Sequence, residues 1–383
     1  MKITVALDSF KGSCSAREAC DAVAQGIYDV MPQADVVTCP VSDGGEGLID
    51  ALWPVLSTRG YKRQVRTVSG PYGGEVRAAF LVKDQECVME MAQCCGLELV
   101  DSSRRNGLDA STYGLGELMG HALDMGCRTF RIGLGGSATS DGGLGFAQAL
   151  GARFYSSGHT LIKDRICAGL LHKISEFDTE IIDRRLEGIS ISGTCDVANI
   201  LTGSGGAIHV FGPQKGLPAN LLDELDADMA HVGAQLDLHY SISACDTPGA
   251  GAAGGLGAAL LWFGRARLKR GIEVVMEILD VERDIADSAL VITGEGRMDG
   301  QSMQGKAPLG IAAVAARHGV PAIALCGSIA DDADVLYQHN ITAMFSLCNG
   351  PMSLDQAVTS APVLLRRAAG NIMRTIAPFT NRQ

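Results

Sequence analysis

Residues 2–7 alternate, with Ile3, Val5 and Leu7 apolar, and read as a strand. Ser15 and Glu18 then have the spacing of a capping box, which predicts a helix start. Apolar or small residues at 19, 22, 23, 26, 27, 30 and 31 keep one helical stripe until Pro32 stops it, and residues 36–39 form the next strand. The first forty residues therefore predict a βαβ unit. The chain's end repeats the pattern: strand 289–293, helix 308–318, strand 321–326, a helix near 331–337, strand 341–347 and a last helix from Ser353. Such alternation predicts a parallel sheet covered by helices.

The middle differs. Short strands at 63–69, 75–82 and 86–91 are separated by PYGG and KDQ turns and should pair antiparallel. A helix at 111–125 and a strand at 128–134 follow. The economical arrangement is a two-domain α/β protein. A Rossmann-like or flavodoxin-like parallel-sheet domain is built from both chain ends (1–65 and 281–383), and a mixed α/β domain (66–280) is inserted between them. No fixed-period repeat is present, which sets aside solenoids and propellers.

Composition narrows the function classes. With 46% hydrophobic and 20% charged residues the chain is globular, and a net charge of −11 offers no general attraction for nucleic acid or anionic membrane. An anionic ligand must then be held by local Lys, Arg and backbone N–H groups. Twelve cysteines without a C-x-x-C pair, and no His cluster at ligand spacing, point to reduced thiols rather than a disulfide framework or zinc. The first eight residues carry no cleavage-site pattern, so a cytoplasmic protein is expected. The uncharged run 247–264 is rich in Gly and Ala and reads as a buried helix rather than a membrane span.

Four loops join glycine to Asp, Glu, Lys or Ser: LDSFKGS (7–13), SDGGEG (42–47), GLGGSATSDGGLG (133–145) and GEGRMDGQSMQGK (294–306). Three follow strands expected in the same parallel sheet, where ligands bind beyond the carboxyl ends. Asp8, Lys11, Asp43, Glu46, Glu295, Arg297, Asp299 and Lys306 are thereby expected to converge. Lysines beside glycines suit phosphate, carboxylates suit Mg²⁺, and an Asp can take a hydroxyl proton, which together suggest phosphoryl transfer.

Gly300, Gly305 and Lys306 have P-loop spacing. Ala307 stands where the Mg²⁺-binding hydroxyl belongs, however, and the strand expected at 289–293 ends well short of Gly300, so a P-loop is not expected. The 133–145 loop opens as G-x-G-x-x-A, a weak dinucleotide signal, and GAGAAG at 249–254 reads as close helix packing.

The ordered set DSFKGS (8–13), PVSDGGEG (40–47), EMAQCCGL (90–97), STYGLGEL (111–118), IGLGGSATSDGGLGFAQALG (132–151), FGPQKG (211–216), PGAGAAGGLGAAL (248–260) and TGEGRMDGQSMQGKAP (293–308) resembles the bacterial glycerate kinase family over the whole chain. The resemblance implies ATP-dependent phosphorylation of D-glycerate, usually at the 2-hydroxyl, in glycolate, glucarate or galactarate catabolism. It also implies a flavodoxin-like domain beside one of restriction-endonuclease-like topology. The chain departs from the family pattern at CDVANIL (195–201), where Ala198 lacks a carboxylate and Ile200 a proline, and at Ser140 and Ser42.

The site residues expected on this basis are Asp196 as proton acceptor with Asp299 as its alternative, and Lys11 and Lys306 on phosphate. Asp8, Ser137, Asp141, Lys215 and Arg297 are assigned to glycerate, Gly294, Glu295, Gly305 and Lys306 to the nucleotide, and Asp43 with Glu46 to Mg²⁺. The partner is a small molecule, with neither nucleic acid nor membrane, and homo-oligomers are compatible with it. Two other classes stay open: a nicotinamide-dependent hydroxy-acid oxidoreductase and a non-catalytic relative that binds glycerate or nucleotide.

Overall fold

A computed structural model describes residues 1–10, 12–41, 47–300 and 306–380. The chain opens with strands β1 (Lys2–Leu7) and β2 (Asp35–Thr38) around helix Ala16–Tyr28. The capping box forms as expected, with the Glu18 backbone N–H donating to Ser15 Oγ and the Ser15 N–H donating to Glu18 Oε2. Nine strands follow: β3 (Lys62–Ser69), β4 (Glu75–Lys83), β5 (Glu86–Glu90), β6 (Thr129–Gly133), β7 (Arg153–Ser156), β8 (Thr160–Leu161), β9 (Glu176–Asp178), β10 (Ser190–Thr194) and β11 (Arg267–Lys269). The last three are β12 (Leu290–Met298), β13 (Ala322–Ile329) and β14 (Ala343–Ser346).

Two compact units result, Met1–Asp43 with Ile272–Gln383, and Gly44–Gly271. The breaks differ from those expected at 65/66 and 280/281. Helix Leu48–Thr58 belongs with the second unit because the buried Glu90 carboxylate accepts from its first backbone N–H, at Leu48, at 2.8 Å, and the Tyr61 hydroxyl donates to Glu86. Helix Gly271–Ile278 falls largely with the first, where Ile272 and Met276 face Gly310. An amphipathic helix reports that it has a buried face, not which sheet covers it.

In the first unit the five strands run parallel in the order β14-β13-β12-β1-β2. Counted within the unit this is 2-1-3-4-5, the flavodoxin-like order, whose direction of winding reverses between β1 and β12. Val5, Leu7, Ile292 and Leu325 are fully buried in one cluster with residues of helices Ala16–Tyr28 and Leu354–Thr380.

β12 continues five residues past its expected end, through the polar GEGRM, because β13 pairs with it as far as Met298 and Ile329. A Cβ on Gly327 would lie 2.4 Å from the Gly296 carbonyl oxygen, so this extension needs bare backbone and leaves no apolar period to read. It also shortens the gap to Gly300, leaving Ala307 as the objection to a P-loop.

The second unit has a six-stranded sheet, β11-β10-β6-β5-β4-β3, and a small antiparallel sheet, β8-β7-β9. β3, β4 and β5 pair antiparallel as expected, while β5, β6, β10 and β11 run parallel. The run 247–264 supplies the buried helix Ala252–Gly264, and among the described residues no helix is long and apolar enough to cross a membrane.

Candidate functional site

At the carboxyl ends of the first unit's strands lies a cavity of about 730 Å³. Asp8 enters it from β1, Glu295 and Arg297 from β12, and Lys306 from the start of helix Ala307–Arg317. Lys306 Nζ lies 3.4 Å from Glu295 Oε1 and 3.7 Å from Asp299 Oδ1, and it donates to the Arg297 carbonyl at 3.3 Å. Asp299 Oδ2 is 3.5 Å from Arg297 Nε. Two cations and two carboxylates thus interlock, with both carboxylates mostly shielded and Lys306 more than a third exposed. Lys306 is also the N-cap of an eleven-residue helix, so a cation and the positive end of the helix dipole lie at the same side of the cavity.

The second unit gathers another set on the 134–143 loop after β6. Lys215, 2% exposed, donates from Nζ to Ser137 Oγ and to the Thr139 carbonyl, each at 2.7 Å. Burial pushes its ammonium down to about 7, against the opposing pull of Asp141. Asp141 is fully buried and accepts from the Thr112 N–H and hydroxyl and from the Gly143 and Gly145 N–H groups. Burial raises its carboxyl above the usual range, and those hydrogen bonds oppose the rise.

Beside them Thr139 Oγ1 and Ser140 Oγ are buried without a partner among the described residues. Asp196, past the end of β10, is exposed, with Oδ1 accepting from the Gly271 N–H at 2.9 Å. β10 pairs with β6 from Ser190↔Thr129 to Thr194↔Gly133, so the Asp196 and Ser137 loops leave the same sheet edge.

Of the residues expected to converge, Asp8, Glu295, Arg297 and Lys306 share one cavity with Asp299 at its ion pairs. Gly294 sits on β12, paired with Leu7. Lys11, Asp43, Glu46 and Gly305 lie outside the described residues. The cavity's apolar side was missed: Leu347, Met352, Val358, Ala361 and Leu364, together with Gly327 and Ser328, line it. A signal existed, since residues 347–353 follow the last parallel strand, where the rule about carboxyl ends applies equally. Missed too was Glu90, 1% exposed, which anchors helix Leu48–Thr58.

Fold and site together define a two-unit α/β protein whose switch-point cavity sets Arg297 and Lys306 beside the carboxylates of Asp8, Glu295 and Asp299. Comparison with known proteins makes the class specific. The sequence profile described as the glycerate kinase family matches residues 3–377, and the chain belongs to that family. Glycerate kinase of Bacillus subtilis (strain 168) is 43% identical over 378 residues, 98% of each chain. Glycerate 2-kinase of Escherichia coli (strain K12) is 42% identical over 379 residues, again 98% of each. A crystal structure from Salmonella typhimurium LT2, provisionally described as glycerate kinase 2, superposes with a TM-score of 0.86 at 38% identity, covering 100% of this chain and 99% of that one.

Proposed function

We propose that this protein phosphorylates D-glycerate at its 2-hydroxyl, taking the phosphoryl group from ATP. The observation that carries the reading is full-length similarity, above 40% identity, to enzymes named glycerate kinase and glycerate 2-kinase. The switch-point cluster of Asp8, Glu295, Arg297 and Lys306 supports it from chemistry. The oxidoreductase and non-catalytic readings gain no such support.

Phosphoryl transfer through a loose transition state needs positioned charge more than covalent chemistry. Lys306 and the positive end of its helix dipole offset phosphate charge, and Lys11 is assigned the same task from sequence. Mg²⁺ accompanies ATP and neutralises phosphate oxygens when bound. Glu295 fits it, being a hard oxygen donor beside the phosphate-binding lysine, and one or two carboxylates plus phosphate oxygens suffice. Asp43 and Glu46 are further donors by sequence. Gly294 and Gly305 bring backbone close to the nucleotide.

Arg297, Ser137 and Asp8 are assigned to glycerate, whereas Lys215 and Asp141, both buried and engaged by the chain, act through the loop they hold. The hydroxyl proton goes to Asp196 or Asp299. Replacing each by Asn separates them, since the acceptor's loss lowers kcat by about 10²-fold or more and the other's does not.

The test is incubation of the purified protein with ATP, Mg²⁺ and D-glycerate, read by ³¹P NMR against a sample lacking glycerate. A glycerate-dependent 2-phosphoglycerate signal is expected. A 3-phosphoglycerate signal would overturn the position of attack, and no phosphoglycerate from a folded sample would overturn the activity.

A further inference from the structure

We infer that the cavity between the ends of β1 and β12 is the nucleotide site, and that the nucleobase packs on its apolar side, against Leu347, Met352, Val358 and Leu364. The phosphates point toward Lys306 and the start of helix Ala307–Arg317. This rests on the kinase reading.

The lining has two chemistries in a definite order. β12 contributes the charged groups Glu295 and Arg297, while the end of β1 contributes Asp8 and the loop after it Ser9, Phe10 and Ser13, with Phe10 in one apolar cluster with Leu347 and Leu364. β13, next in the sheet, contributes only Gly327 and Ser328, and β14, at the edge, leads into Leu347 and the apolar stretch ending at Leu364. From β12 to β14 the surface therefore passes from charged, through small, to apolar. A nucleoside triphosphate has the same sequence of parts: a polyanion, a sugar and a flat, weakly polar ring system. Glycerate, three carbons bearing polar groups throughout, would leave the apolar side bare, at a cost proportional to the area left facing water. About 730 Å³ is in the range of pockets that enclose a ligand larger than glycerate.

In the competing glycine-rich loop, 133–145, the donors of the second half are engaged from within. The Asp141 carboxylate takes its Gly143 and Gly145 N–H groups, Gly142 N–H donates to the Gly254 carbonyl, and Lys215 is spent on Ser137 and Thr139. Donors already engaged by the chain cannot cradle a pyrophosphate.

Photolabelling of the wild-type protein with 8-azido-ADP, followed by peptide mapping, tests the site directly. Label within 347–364, chased by ADP, is expected, and label confined to 44–271 would overturn the inference. In parallel, Val358→Trp fills the cavity from a half-buried position. The KM for ATP should rise at least tenfold while that for D-glycerate stays within twofold, and an unchanged KM for ATP would equally overturn the site. If wild-type protein is labelled in 347–364 yet makes no phosphoglycerate, the nucleotide site stands and the kinase reading falls.

Discussion

Lys215, all but excluded from solvent, donates a 2.7 Å hydrogen bond from Nζ to the hydroxyl of Ser137. The pairing fixes the middle of the 134–143 loop from inside, and it makes the folded state sensitive to pH. Unfolded lysine titrates near 10.4, whereas here burial brings the group down to about 7. Between those values the unfolded chain binds a proton the native state lacks, so the unfolding free energy should rise with pH across that interval. The gain is on the order of 4 kcal/mol at about 1.4 kcal/mol per pH unit. Urea denaturation at pH 7 and pH 9.5 should show this rise in wild type and not in Lys215→Met; equal slopes would refute it.

Asp141 carries four hydrogen bonds, from three backbone N–H groups in two segments and one hydroxyl, so its first duty is to hold the loop. Asp141→Ala should cost about 3–5 kcal/mol, because four buried donors lose their acceptor and Lys215 its counter-charge. Asp141→Asn should lie between it and wild type. A denaturation midpoint unchanged by Asp141→Ala would mean that the residue serves substrate alone.

Gly254 has φ +67°, and a Cβ there would stand 2.0 Å from the Thr139 carbonyl oxygen. Gly254→Ala should therefore destabilise by at least about 2 kcal/mol, although alanine is ordinarily the better helix former. Thermal unfolding of the variant reads this directly, and an equal or higher Tm would show that the two segments can part at little cost.

Lys306 is partly exposed, and its pairs with Glu295 and Asp299 span 3.4 and 3.7 Å. Such pairs add little to stability, within about 1 kcal/mol, but a cation aimed at transferring phosphate matters far more. Lys306→Met should keep its Tm within a few degrees and lose about a hundredfold or more in kcat/KM for ATP, close to 2.7 kcal/mol. A coupled ADP-release assay measures it, and a loss below threefold would remove Lys306 from the reaction.

Much of the architecture was legible in the chain's periodicity. Ile3, Val5 and Leu7 announced β1, Ser15 and Glu18 announced the helix after it, and the alternation repeated at the far end implied one parallel sheet made from both termini. These features are local, because apolar spacing and capping are written within a few residues. The convergence of Asp8 with Glu295, Arg297 and Lys306 also followed, since strand ends in a parallel sheet share an edge whatever their separation in sequence.

Other features needed the folded chain. GEGRM has no strand period because backbone pairing with β13, between facing glycines, holds it. Helix Leu48–Thr58 could have covered either sheet until the buried Glu90 carboxylate took its first N–H. Asp141 and Lys215, polar residues in a glycine-rich setting, looked open to a ligand, and only burial and hydrogen-bond partners reveal that the chain itself occupies them. Short-range order follows from residue spacing, whereas the partner of a polar group, and hence its charge and availability, depends on segments brought together from far along the sequence.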